Sequence, residues 1–206
     1  MQTFLTDDFL LHNDTARVLY HDHAKHQPIY DYHCHLPPAD IAANRQFADL
    51  AAIWLEGDHY KWRGLRTLGI AERLITGDAS PREKFQTYAE AVPHFIGNPL
   101  YHWTHMELNR IFGIQETLKL SNARHIYEEC TAKLQTPEYR PQAIMRRMRV
   151  EVVATTDDPA DTLEYHREIR ENSFGVKVLP AWRPDKAMAI GNPKAYNEYL
   201  DKLSAA

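Results

Sequence analysis

A chain of 206 residues, 44% hydrophobic and 25% charged, has the size and composition of one ordinary globular domain, or of a large part of a bigger one. Its formal net charge of −4 argues against nucleic acid or an anionic membrane as partner. Two cysteines make no disulfide framework, residues 1–11 carry acids and no basic leader, and no apolar run could span a bilayer, so the chain reads as cytoplasmic.

Apolar spacing predicts a first helix over 6–25, with Thr6, Asp7 and Asp8 supplying its cap and N-terminal charge. It contains a His-x-His pair, His21-Asp22-His23. Two positions on a helix are about 200° apart, so these side chains diverge and read as solvated surface. Gln27-Pro28 ends the helix. A strand over about 29–33 follows, in which Ile29-Tyr30-Asp31-Tyr32 runs into His33-Cys34-His35. Residues two apart on a strand point to the same side. His33 and His35 therefore present both imidazoles to one face where the chain leaves the sheet. Two converging imidazoles are the start of a divalent-metal site. With twelve histidines in the chain, a chance pairing is the competing reading. Cys34 faces the opposite way and reads as a packing residue. Leu36-Pro37-Pro38 forces an extended exit.

The next stretch, about 39–148, reads as helical almost throughout, with helices near 39–55, 64–76, 81–92, 99–111, 122–135 and 139–148. Ser80-Pro81-Arg82-Glu83 is a capping box with proline at the first helical position. Asn98-Pro99 and Thr136-Pro137-Glu138 use the same device. His102 and His105, at i and i+3, could hold a metal but read as packed or solvated. Trp54, Trp62 and Trp103 read as core. Arg146, Arg147 and Arg149 form a solvated helix end.

The period then changes. Val150-Glu151-Val152-Val153-Ala154-Thr155 reads as a strand over 150–155. Thr156-Asp157-Asp158-Pro159 caps a helix over about 160–171, and a strand follows over 174–180. Ala181-Trp182-Arg183-Pro184-Asp185 is a loop, and Asn192-Pro193 opens a last helix near 194–203. Strand–helix–strand with a short crossover implies parallel pairing, and so an α/β fold. Sites in such sheets form beyond the carboxyl ends of the strands. His33-Cys34-His35, Thr155-Thr156-Asp157-Asp158 and the Arg183 loop all sit at such ends. A closed eight-stranded barrel takes about 250 residues. The expected architecture is therefore the N-terminal part of a (β/α)8 TIM barrel. It has about three parallel strands, a large helical insertion (about 39–148) after the first, and an exposed edge at the third. All of 1–206 then forms one partial barrel domain.

Asp31-Tyr32-His33-Cys34-His35-Leu36-Pro37-Pro38 resembles the first-strand motif of the uronate isomerases, divergent members of the amidohydrolase superfamily. Gly57-Asp58-His59-Tyr60-Lys61-Trp62-Arg63, Gly97-Asn98-Pro99-Leu100-Tyr101-His102-Trp103-Thr104-His105, Thr155-Thr156-Asp157-Asp158-Pro159 and Leu179-Pro180-Ala181-Trp182-Arg183-Pro184-Asp185-Lys186 resemble that family too, in the same order. The resemblance implies aldose–ketose isomerisation of D-glucuronate to D-fructuronate and of D-galacturonate to D-tagaturonate, through an enediolate. It implies one divalent metal, zinc, held by His33, His35 and a last-strand aspartate that has no counterpart here. It places Tyr60 and Arg183 against the reacting sugar, and a homo-oligomer with a hexuronate as its small-molecule partner is expected. It also implies a longer protein, of which this chain is the opening portion. A phenol beside a guanidinium can serve as base, and an arginine or a metal can hold the enediolate. Two other readings stay open: a catalytically silent α/β module that self-associates, and a metal-dependent hydrolase of the wider superfamily.

Overall fold

The computed structural model describes residues 4–206; residues 1–3 of the acidic N-terminal segment lie outside the described residues. The α-helices are α1 (Asp14–Val18), α2 (Pro38–Ala42), α3 (Leu50–Leu55), α4 (His59–Thr67), α5 (Pro81–Ala91), α6 (Pro99–Phe112), α7 (Ala123–Leu134), α8 (Pro141–Arg147), α9 (Glu164–Glu171) and α10 (Pro193–Ala205). The strands are β1 (Ile29–Cys34), β2 (Val150–Asp157) and β3 (Lys177–Trp182). Two compact units result: a helical one, the chain up to His26 with Gln46–Tyr139, and a sheet unit, Gln27–Arg45 with Arg140–Ala206. None of the described helices is long and apolar enough to cross a membrane.

The helical unit is built around Leu50, Leu65, Phe85, Tyr88, Leu108 and Ile126, all essentially inaccessible. Its helices start where side-chain caps satisfy the orphan amides of a first turn. Ser80 and Glu83 form the expected capping box of α5, with Pro81 at its first turn. Asn98 accepts from the Leu100 amide at the start of α6, again before a proline.

Four helix boundaries differ from the sequence reading, each for a local reason. The helix expected from residue 6 begins only at Asp14, because Leu10 adopts a left-handed φ of 68° and Asn13 then caps Ala16. It continues as a π-helix, Leu19–Ala24, on which His21 meets Asp8 at 2.8 Å. The span 39–55 is two helices: Asn44, at φ 47°, follows the first, and Asp49 caps the second. The helix expected over 64–76 forms earlier, as α4, since Asp58 caps it and Gly69, at φ 74°, follows its end. The helix expected from residue 160 begins at Glu164, after Leu163 at φ 54°. Trp54 is core, but Trp103 is half exposed. The buried stripe of α6 is Leu100, Thr104, His105, Leu108 and Phe112, and Trp103 is not part of it. His105 is a satisfied core residue. Its Nδ1–H donates to the Tyr101 carbonyl at 2.7 Å and its Nε2 accepts the Leu118 amide at 2.9 Å.

In the sheet unit the strand order is β1-β2-β3 and both pairings are parallel. The expected α/β architecture with three parallel strands in one sheet is therefore present. β3 begins at Lys177, after Gly175 at φ 91°. Along β2 the residues Val153, Thr155 and Asp157 are buried while Val152, Ala154 and Thr156 are half-buried, the period-2 alternation of a sheet with one covered face. That covered face packs Val153 and Val178 with Ile41 of α2, Met145 of α8 and Ile169 of α9.

Candidate active site

The register places the three strand ends side by side. Cys34 pairs with Thr155, Thr155 with Pro180, and Asp157 with Trp182. His35, Asp158 and Arg183 are the first residues past β1, β2 and β3, so all three leave the sheet at its carboxyl end, where parallel sheets build their sites.

An irregularity in register lies between Asp31 and Cys34. Asp31 braces it by accepting the His33 amide at 3.3 Å. Cys34 and Leu36 are partly buried against the covered face. His33 and His35, at the alternate positions, are exposed and belong to the other face. Their Nε2 atoms stand 3.0 Å apart and their rings are edge-on, 83° between planes. Two nitrogens bound to one zinc at about 2.0–2.1 Å in tetrahedral geometry lie about 3.3 Å apart. The pair thus fits a shared divalent ion within a few tenths of an ångström. Among the described residues no group of three or more His, Cys, Asp or Glu is gathered to hold a metal; the chain offers two imidazoles toward a ligand set.

A second cluster sits on the covered face at the end of β2. Thr155 is fully buried, and Asp157 is 8% exposed. The Thr155 hydroxyl donates to Asp157 Oδ2 at 2.8 Å, and His166 Nε2 lies 2.8 Å from the Thr155 hydroxyl oxygen. One hydroxyl carries one proton, so with that proton on Asp157 the imidazole donates to Thr155 from Nε2. Sequence reasoning overlooked His166. Two polar residues two apart in an apolar strand, with a histidine in the first turn of the next helix, was the signal.

Asp157 and Asp158 do not cap the following helix, contrary to expectation, because they are engaged elsewhere. The Asp157 carbonyl accepts the amide of Arg183 at 3.1 Å. The Asp158 carboxylate, 12% exposed, meets Lys186 Nζ at 3.1 Å and accepts from the Tyr199 hydroxyl at 3.0 Å and the Ala160 amide at 2.9 Å. Burial pulls this carboxyl upward, but the Ala160 amide, Lys186 and Tyr199 together hold it below the usual carboxylate value. Arg183 keeps an exposed guanidinium whose Nε lies 3.5 Å from Asp185.

Tyr60 belongs to the helical unit. It stands in the first turn of α4, where Asp58 accepts its amide at 3.0 Å, and its side chain is largely exposed. The next residue, Lys61, is buried and paired with Asp58 at 2.7 Å. Of the four residues singled out from the sequence, then, the sheet unit gathers His33, His35 and Arg183 at one end, and the helical unit carries Tyr60.

Comparison with known proteins agrees along the whole chain. A family model described as Glucuronate isomerase matches residues 1–206. The chain is 57% identical over 205 residues to the uronate isomerase of Vibrio vulnificus (strain YJ016), covering 98% of this chain and 43% of that protein. It is 57% identical over 208 residues to the uronate isomerase of Serratia proteamaculans, covering 44% of it. Among solved structures, the uronate isomerase of Thermotoga maritima superposes with a TM-score of 0.91 at 41% identity, over 98% of this chain and 44% of that one. The glucuronate isomerase of Caulobacter crescentus gives 0.80 at 31% identity, over 86% and 39%. The chain spans less than half the length of the curated relatives it matches.

Proposed function

The chain belongs to the glucuronate isomerase family, and we propose that it supplies the metal-holding and part of the substrate-holding machinery of a uronate isomerase, converting D-glucuronate to D-fructuronate and D-galacturonate to D-tagaturonate. The observation that carries this reading is the His33–His35 pair at the carboxyl end of β1, on the same end of the sheet as Arg183, in a chain that matches the family throughout. His33 and His35 would hold one divalent ion, for which zinc suits neutral imidazole. When bound, such an ion polarises a substrate oxygen as a Lewis acid. Completing a catalytic zinc site takes a third protein ligand, which the family reading assigns to an aspartate of a later strand.

Isomerisation moves a proton between C2 and C1 of the sugar acid and leaves negative charge on the enediolate oxygens. Arg183 suits that charge, or the substrate carboxylate, through its forked donors. Its amide is fixed on Asp157 while its guanidinium stays exposed. Tyr60 is proposed as the proton carrier on its motif; its backbone is held by Asp58 and its phenol is available. The full (β/α)8 barrel, with about 39–148 as a helical insertion, a homo-oligomeric assembly and a cytoplasmic setting go with this reading. In support of the barrel, β1 and β3 each have one neighbour among the described residues, so both edges are free to extend the sheet. Steady-state kinetics on the complete gene product test the assignment. Arg183→Ala and Tyr60→Phe should each lower kcat/KM for D-glucuronate by about 100-fold or more; near-normal values would remove these two residues from the reaction.

A further inference from the structure

We propose that Asp158 is a positioning residue for Arg183: it fastens the loop after β3 to the end of β2, so that the arginine leaves the sheet in one fixed direction. This rests on the reading of Arg183 given above.

Arg183 has few constraints of its own. Its guanidinium is exposed and its nearest acid, Asp185, stands off at 3.5 Å. Its direction is therefore set by the backbone that carries it. That backbone is held at two points. The first is the Arg183 amide, 3.1 Å from the Asp157 carbonyl. The second is Lys186, three residues on in the 3-10 turn Asp185–Met188, whose ammonium meets Asp158 at 3.1 Å. Tyr199 of α10 closes the arrangement: its hydroxyl donates to the other Asp158 oxygen at 3.0 Å, and Lys186 lies 5.9 Å from the centre of its ring.

Asp158 is thus a junction of three segments: the turn after β2, the loop after β3, and α10. Its carboxylate is nearly withdrawn from solvent and accepts from three donors, so its place is fixed. Asp157, one residue earlier, is itself locked through Thr155 and His166. The Thr-Thr-Asp-Asp turn therefore grips the Arg183 loop once through a backbone carbonyl and once through a side chain. A displacement of about 1 Å in a substrate-orienting group can cost about 100-fold in rate, so this grip bears on the reaction through the direction it gives Arg183.

The test is a double-mutant cycle in the complete gene product, with D-glucuronate as substrate and zinc supplied. Asp158→Asn keeps the shape but removes the charge that holds Lys186, and Lys186→Met removes the partner. Each should lower kcat/KM by about 10-fold or more, with thermal midpoints close to the parent. Combined with Arg183→Ala, neither should lower it further, because the residue they position is gone. Losses that multiply in the double variants, or single variants within twofold of the parent while Arg183→Ala is crippled, would overturn the proposal and leave the role of Arg183 standing. Near-normal kcat/KM in Arg183→Ala would instead overturn the site reading beneath it. Should Asp158→Asn fail to fold, the cycle with Lys186→Met decides the question alone.

Discussion

The Nε2 atoms of His33 and His35 face each other across 3.0 Å at the carboxyl end of β1. Two ring nitrogens at that distance share either a proton or an ion, and a single Nε2–H can satisfy both when no ion is present. The strand makes the approach possible, since residues two apart emerge on one side. In zinc-binding titrations of the complete gene product, His33→Ala and His35→Ala should each weaken affinity by more than about 10-fold. His23→Ala, on the π-helix, should leave it unchanged.

The helical unit carries a buried hydrogen bond whose loss is measurable. Tyr88 is fully buried, and its hydroxyl lies 2.7 Å from that of Thr104, itself 1% exposed. Thr104→Val leaves a phenol without a partner and should cost about 1–3 kcal/mol in urea unfolding. Adding Tyr88→Phe should restore part of that loss, because removing both polar groups is cheaper than stranding one. A double variant weaker than Thr104→Val alone would contradict this.

Glu72 gives a pH signature. Its carboxylate is gripped by the Arg66 guanidinium, through Nε at 2.9 Å, and by the Thr76 hydroxyl. With Arg66 the larger cause, these hold its pKa down to about 2. The native state therefore favours the carboxylate. The benefit is complete above the unfolded value of about 4.3 and disappears as pH falls through about 2. The pair is solvent-exposed, so the effect is small and weakened by salt. The stability gap between the parent and Glu72→Gln should be present at pH 6 and close between about pH 4 and 2. A gap independent of pH would show the ion pair to be idle.

Cys130 is fully inaccessible in α7, and burial pushes its thiol up to about 12. Burial raises the half-buried Cys34 as well. Since the thiolate is the reactive form, iodoacetamide at pH 8 should leave Cys130 unmodified in the native protein and label it fully in denaturant, as read by peptide mass. Native-state labelling of Cys130 would contradict the packing described.

Much of this was legible in the sequence. The strands announced themselves by β-branched and aromatic residues, most clearly in β2, and their parallel pairing followed from the crossover. Helices opening with a capping residue before proline, as at Ser80-Pro81 and Asn98-Pro99, began where expected, because the ring presets the backbone that the cap completes. The starts of α3 and α4 were hidden because Asp49 and Asp58 cap through their own carboxylates, a choice that apolar spacing does not register. The imidazole pair could be read from strand alternation. His166 was marked only by its place in the first turn of the helix after β2, and its contact with Thr155 forms when α9 folds back on the sheet. Asp158 was read as a helix cap because sequence alone does not reveal that Lys186 and Tyr199 return to it.

We propose that this chain belongs to a working uronate isomerase whose metal is held by His33 and His35. Proton NMR of D-glucuronate incubated with the zinc-loaded complete gene product tests it most directly. Steady conversion to D-fructuronate is expected, abolished when His33 and His35 are both replaced by alanine. No ketose from the parent protein, or undiminished conversion by the double variant, would contradict it.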